Sequence, residues 1–505
     1  MLLKNAALLT VFSLIIKLLG VYLRLFLSAR IGSEGMGLYQ LIMSVYMLFA
    51  TFATAGFTVA VSRLVAEKSE RHPSDAARVF KLSLYVSGFI SILATVLMFS
   101  FSDTIAVTFL DDARTSRPLQ ILALSMPFMA LSSCMKGYFI AKRQVIKTAT
   151  ASFLEQLVKI AVMAVFLNFY MAHTNDIGTL CNGIVAGITL GEIFSYIYLG
   201  ILYLFSPGRV KKRDLAPKSE KGSMLKSLLG VTLPISATVY VTSTLHTVEN
   251  LMIPKVFEQY SGNRSDALSQ FGMIRGMVIP ILFFPFAFLN SLVAILIPEI
   301  SRLNVKADKT ERNTKISKIM SLSFVFSTAV GGIFYFFAGE IGETFYRDQN
   351  TFQAIRILAI VTPFMYIETI TDGLLKGIGE QVYTLKISIY NSILRLLIIF
   401  FAIPSTGSTG YLWLLVASNT FAFALCVLRM KKVTDFYFNF TKNALFPFIF
   451  CIAGGIVGRI ALNALTINTD WIASSVGTLI FLAVFGILYF FSSFKINRRI
   501  LKGYI

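Results

Sequence analysis

Charge is scarce in this chain. Asp, Glu, Lys and Arg make up 14% of its 505 residues, against about 25% in soluble globular domains. Over half the residues are hydrophobic, so an ordinary soluble fold is excluded. Cysteine is scarce too: Cys134, Cys181, Cys426 and Cys451 are scattered through apolar stretches with neither pairing nor metal-ligand spacing, which points to packing. The three histidines, His72, His173 and His246, are equally dispersed, and no metal site is expected. There is no glycine-rich phosphate loop and no soluble catalytic stretch. The chain is therefore expected to be no enzyme and to carry no cofactor; uphill movement would draw on the membrane potential, a proton gradient or a sodium gradient.

What the chain has is apolar length. Crossing ~30 Å of hydrocarbon at ~1.5 Å per residue takes about 20 residues. Fourteen such stretches occur, near 7–29, 38–61, 80–102, 119–140, 150–171, 181–205, 228–252, 271–298, 319–340, 355–376, 384–403, 410–428, 444–465 and 472–492. Lys17 and Arg24 interrupt the first and no small-residue cleavage site follows, so it does not read as a cleaved signal peptide. The net charge of +20 concentrates in alternate loops: Arg63 to Lys81, Lys142 to Lys147, Arg209 to Lys226, Arg302 to Lys318, Arg429 to Lys442, and the tail from Lys495. The opposite loops hold few basic residues, among them Arg30, Arg114, Lys255, Arg264, Arg347 and Arg356. That asymmetry places both termini in the cytoplasm. The charge sets topology and argues against nucleic acid as a partner.

The chain also repeats itself. Leu122–Gly137 returns 236 positions later as Leu358–Gly373, with Leu, Ala, Pro, Phe, Met and Gly shared at six of sixteen positions. A proline within each apolar helix is the telling identity, because it costs about 3 kcal/mol in a helix interior. The basic, Pro- and Gly-containing stretch 207–227 separates an expected N-lobe (1–206, helices 1–6) from a C-lobe (228–430, helices 7–12), and helices 13 and 14 with a basic tail (431–505) lie outside the repeat. Six is even, so the repeats are parallel, a transporter pattern with the substrate site at the seam. The loops Arg63–Arg78 and Arg302–Lys318 are expected to form short amphipathic helices on the inner leaflet. The fold class is all-α integral membrane, with 14 helices.

Ionisable residues inside the membrane cost at least ~2.5–3.5 kcal/mol each and mark cavities or partners. Lys17, Gly20 and Arg24 share one face of helix 1, a cationic cradle suited to an anionic group. Glu155 and Lys159, four apart on helix 5, read either as a structural ion pair or as part of a site. Arg275 lies between Gly272 and Gly276 one turn into helix 8, and Arg395 lies mid-helix 11 without a local partner. Glu368, Asp372 and Lys376 form a stripe on helix 10; Glu368 and Asp372 are candidates for ion coupling, unless Lys376 neutralises Asp372. Glu192, Glu249 and Arg459 stand singly, and Gly183, Gly187 and Gly191 permit close helix packing.

Several segments resemble the stage V sporulation protein B family: Lys17-Leu-Leu-Gly20 to Arg24, Gly35-Met-Gly37-Leu-Tyr39-Gln40, Ala60 to Glu67, Lys136-Gly-Tyr-Phe139, Phe153-Leu-Glu155-Gln156-Leu-Val-Lys159, and Phe271-Gly-Met273 through Ser301. That family sits in the polysaccharide transporter branch of the multidrug/oligosaccharidyl-lipid/polysaccharide exporter superfamily, with the MurJ-like lipid II flippases. The resemblance covers helices 1–12. It implies a two-lobed bundle around a cationic cavity that passes the pyrophosphate-sugar head of an undecaprenyl-linked precursor. The last two helices would form a groove for the lipid tail. Lys17 and Arg24 match the basic positions of the first-helix motif, though Lys17 stands where Arg is commoner, and Glu155 and Lys159 match the Glu-Gln-x-x-basic motif of helix 5.

The expected function is a flippase for lipid II or a close relative in the bacterial cytoplasmic membrane, working by alternating access and serving peptidoglycan synthesis, with spore cortex included. Substrate binding is assigned to Lys17, Arg24, Glu155, Lys159, Arg275 and Arg395. The partners are a lipid-linked oligosaccharide, membrane lipids and cell-wall synthases. Three rivals stand beside it: an exporter of another lipid-linked oligosaccharide, a cation-coupled multidrug antiporter, and a non-transporting membrane scaffold for wall synthases. The antiporter predicts a functional carboxylate in an apolar cavity; the scaffold predicts that loop charges matter and cavity charges do not.

Overall fold

The computed structural model describes residues 2–71, 73–171, 176–206, 221–306, 308–346, 349–465 and 469–502. His72, His173, Arg347 and positions 207–220 of the expected linker lie outside them. Every regular element among the described residues is helical, as befits a chain that must satisfy its backbone groups within hydrocarbon. Among the described residues thirteen helices are long and apolar enough to cross a membrane, the run Phe12–Ser69 counted once, or fourteen if one bent pair counts as a single span.

The chain packs as two compact units. The first is Met1–Lys255 with Asn263–Gly272. It contains α1 (Leu2–Thr54), α2 (Phe57–Arg71), α3 (Pro73–Ser100), α4 (Ser116–Ala123), α5 (Met126–Ala141), α6 (Val145–Met171), α7 (Ile177–Leu204), α8 (Lys221–Ser261) as far as Lys255, and α9 (Arg264–Phe271). Gly32 breaks α1 at φ 65, a conformation glycine takes without strain. At ~1.5 Å per residue α1 would otherwise run about 80 Å, more than twice a ~30 Å core, so it supplies two crossings. α8 belongs here by its hydrogen bonds: Ser236 Oγ donates to the Ala55 carbonyl at 2.7 Å, and Thr247 Oγ1 to that of Ser44 at 3.2 Å. The division by packing thus falls at Lys255, whereas the division by repeat was drawn through 207–227.

Backbones touch where α1 meets α9. A Cβ on Gly37 would stand 2.1 Å from the Leu268 carbonyl oxygen, and one on Gly272 2.0 Å from that of Ser33. The Ser33 and Ser269 hydroxyls, 236 residues apart, are 2.6 Å from each other. Gly37→Ala is therefore expected to cost about 1–3 kcal/mol by overpacking, read as a lower melting temperature of the purified protein. An unchanged melting temperature would remove this contact from the account.

The second unit is Val256–Gly262 with Met273–Ile505. A π-helical turn, Gly272–Val278, leads into a short helix, Ile279–Phe283. Then follow α10 (Phe286–Val305), α11 (Lys309–Phe336), α12 (Ala338–Tyr346), α13 (Gln349–Ile378), α14 (Gln381–Phe401), α15 (Ile403–Val433), α16 (Phe446–Leu465) and α17 (Asp470–Lys502). The eighth apolar stretch, expected as one helix, is thus broken. Pro280 and Pro285 lack the N–H groups that a continuous helix needs there. The two expected surface helices are not separate elements either. Arg63–Arg71 is the last part of α2, Arg78 belongs to the second turn of α3, and Lys309 opens α11. Prolonging a helix satisfies the backbone at the membrane edge more simply than starting a new one.

The duplication is visible inside the two units. Shifted by the repeat offset, α3 and α11 coincide at both ends, and α6 and α14 start together. Gly137 packs on Val61 and Gly373 on Ile297, with an added Cβ 3.1 Å from the neighbour in both cases. The repeated prolines are treated differently. Pro127 has no N–H for the Ala123 carbonyl, and Thr95 Oγ1 donates to that oxygen at 3.1 Å; α4 and α5 meet there at a bend of 43°. Pro363 leaves the Ala359 carbonyl in the same position, yet Gly331 stands where Thr95 would be and α13 continues through the proline.

Candidate functional site

Within the first unit the charges of α5, α6 and α7 converge. Lys159 Nζ donates to Glu155 Oε1 at 2.7 Å and to Glu192 Oε1 at 2.9 Å, and Lys136 Nζ to Glu155 Oε2 at 3.2 Å. The four side chains are largely buried, Glu192 at 9% exposure. Two carboxylates and two ammonium groups balance, which is what low dielectric demands. α7 makes room through its glycines: a Cβ on Gly191 would stand 2.4 Å from Lys159 Cγ, and one on Gly187 2.4 Å from Met163 Cγ. The expected Glu155–Lys159 pair is present. Glu192, read singly, is its third member, and Lys136 from α5, noted in a motif but given no role, is the fourth.

Lys17 and Arg24 differ from this quartet. Lys17 is half-buried and Arg24 exposed, and among the described residues neither has a hydrogen bond or an ion pair. Gly20 between them has no neighbour within 4 Å of an added Cβ. This face of α1 is open and its cations are uncommitted. Tyr39 lies within electrostatic reach of both Arg24 and Lys159.

In the second unit Arg275 lies over the Tyr411 ring, 5.8 Å from its centroid. Arg395 is buried; its Nε donates to Ser418 Oγ of α15 at 2.9 Å, and its charge reaches Glu368 of α13. Lys376 Nζ donates to Asp372 Oδ2 at 2.6 Å, so the lysine of the stripe does neutralise one of its acids. The repeat offset that joins the prolines also joins Lys159 to Arg395. Each half carries a buried cation at the same place on its fifth helix, answered by acids from different helices. That correspondence was readable in the sequence, since both residues had already been singled out.

The first unit has a further ionic cluster. Arg114 pairs with Asp112 at 2.7 Å and with Glu34 at 3.0 Å, and Ser265 Oγ donates to Glu34 at 2.6 Å. Nearby, Asp176 caps α7 by accepting from Thr179 N at 2.8 Å, and bonds to the side chain and backbone of Thr179 hold its carboxyl below the usual carboxylate range.

The family described as "Polysaccharide biosynthesis protein" matches residues 2–304. The chain belongs to that family. It is 24% identical to stage V sporulation protein B of Bacillus subtilis (strain 168) over 498 residues, covering 96% of both chains. It is 22% identical to the lipid II flippase MurJ of the same organism over 427 residues, covering 79% of this chain and 76% of MurJ. Among solved structures, a lipid II flippase MurJ in an inward closed conformation superposes with a TM-score of 0.71 at 12% identity, over 96% of this chain and 99% of that one. An inward-facing multidrug resistance transporter of the MATE family, of the MOP superfamily, gives 0.63 at 16% identity, over 84% and 98%. The family member described here is a multi-pass membrane protein with the fold these structures share. Where the names of these relatives state an activity, it is that of a flippase or a transporter.

Proposed function

We propose that this protein translocates an undecaprenyl-pyrophosphate-linked cell-wall precursor, lipid II or a close relative, across the bacterial cytoplasmic membrane by alternating access. Both termini would be cytoplasmic, and the repeat halves 1–206 and 228–430 would move against each other. The observation that carries the reading is the open face of Lys17, Gly20 and Arg24. Two cations with no ion pair among the described residues have a use when a pyrophosphate arrives, because burying that anion without partners is prohibitive. In the second unit Arg275 and Arg395 are proposed as further contacts for the anionic head. Glu155 and Lys159, held in the quartet, brace the first unit. Of the two coupling candidates, Asp372 is engaged by Lys376 and Glu368 sits beside Arg395, so Glu368 is the acid that coupling to a proton or sodium gradient would use. Relatedness to stage V sporulation protein B and MurJ supports the substrate class.

The test is the leaflet distribution of lipid-linked precursors in cells depleted of the protein. Accumulation of lipid II on the cytoplasmic face, cleared by the wild-type chain, is expected. An unchanged distribution with altered drug tolerance would favour the antiporter. Loss of another surface polymer would keep the activity class and replace the substrate.

A further inference from the structure

The second unit holds two adjoining cavities that none of Lys17, Arg24, Arg275, Arg395 and Glu368 lines. One, of 410 Å³, opens between α11, α13 and α16 and is walled by Gly331, Gly332, Ile360, Pro363, Phe448 and Cys451. The other, of 450 Å³, shares Tyr335 and Phe336 with the first and adds Phe352, Arg356 and Arg459. Each is within the roughly 300–1,000 Å³ range of ligand pockets. The room comes from small residues: Gly331 stands where the first half has Thr95, and a Cβ on Gly332 would lie 2.2 Å from Cys451 Sγ.

The two cavities differ in chemistry. The first is apolar. At the second, Arg356 is exposed and stacks on the Tyr335 ring, 4.9 Å from its centroid; among the described residues no carboxylate pairs with it. Arg459 lies over Phe337 and is bound by Glu340. Two guanidinium groups against one carboxylate leave an excess of positive charge at the mouth of a greasy slot. A small soluble anion would have no use for the slot, and an apolar molecule none for Arg356.

We propose that the paired cavities bind one anionic phospholipid, with an acyl chain between α11, α13 and α16 and its phosphate on Arg356. Arg459, positioned by Glu340, is the second donor. A guanidinium resting over Tyr335 can meet phosphate oxygens with two N–H groups at once. This site shares no lining residue with the proposed cargo contacts and does not depend on what the protein transports.

The test uses the full-length protein, stripped of lipid in a neutral detergent, with binding followed by native mass spectrometry and by the lipid-induced rise in melting temperature. Phosphatidylglycerol should bind about tenfold more tightly than phosphatidylcholine of the same chains, because the choline cation offsets the phosphate charge and is repelled by the two guanidinium groups. Arg356→Gln should abolish that preference while leaving the lipid-free melting temperature unchanged. Gly331→Thr, which fills the slot with the residue of the other half, should weaken both lipids alike. If Gly331→Thr does not fold, Arg356→Gln decides alone. An unaltered preference in Arg356→Gln overturns the proposal, and so does displacement of phosphatidylglycerol by a polyprenyl phosphate, which would assign the slot to the cargo.

Discussion

Arg24→Ala is expected to abolish clearance of the lipid-linked precursor while the protein folds and melts as the wild type does. Arg24 is exposed, and among the described residues it pairs with nothing, so its removal orphans no internal partner. Its loss would be felt only when an anion enters. Each charge-assisted hydrogen bond is worth about 1.5–3 kcal/mol, or roughly ten- to a hundredfold in rate, and a guanidinium forms two at once on a phosphate. Lys17→Ala is expected to be milder, because an ammonium does not grip bidentately, and the double variant should be silent. The measurement is precursor sidedness in depleted cells complemented with each variant, alongside a melting curve of the purified protein. Transport by Arg24→Ala at the wild-type level would take this residue out of the mechanism. A lowered melting temperature would make its role structural instead.

Lys159→Met is expected to fail in the opposite way. Among the described residues it leaves Glu155 paired only with Lys136 and Glu192 with no ion pair, inside a packed helical layer. Breaking a buried ion network by removing one partner costs about 3–5 kcal/mol, a large share of the stability of any domain. The loss should appear as poor yield and a depressed melting temperature. Neutralising the other three as well, in Lys159→Met with Glu155→Gln, Glu192→Gln and Lys136→Met, should recover much of it, since hydrophobic or neutral replacements of a whole buried network are often tolerated. If Lys159→Met melts like the wild type but cannot transport, the quartet is part of the substrate path rather than its brace.

These two outcomes follow from features of unequal legibility. The open cradle was readable because Lys17, Gly20 and Arg24 fall on one face of one helix, and periodicity alone decides that. The Glu155–Lys159 and Asp372–Lys376 pairs were readable for the same reason, each being one helical turn apart. The partners that complete them were not. Lys136 and Glu192, like the Ser418 that receives Arg395, come from other helices, and which residues face each other across a helix pair depends on crossing angle and depth, which local spacing does not encode. The glycines of α7 illustrate the boundary. Their regular spacing announced close packing, but only the packed structure shows that Gly191 opens the way for the Lys159 side chain. The span count was likewise readable from apolar length. The break in the eighth stretch lay in Pro280 and Pro285, whose missing donors outweigh the hydrophobic run around them.

The two prolines that first exposed the duplication make its halves mechanically unequal. A helix bends most cheaply where a backbone hydrogen bond is already missing. In the first copy that weak point is spent: the chain is turned at Pro127, and the Thr95 hydroxyl fastens the loose carbonyl. In the second copy α13 runs straight through Pro363, and Gly331 fastens nothing. The later half therefore retains a compliant joint that the earlier half has locked, so two segments of common design differ in stiffness by the presence or absence of a single hydroxyl.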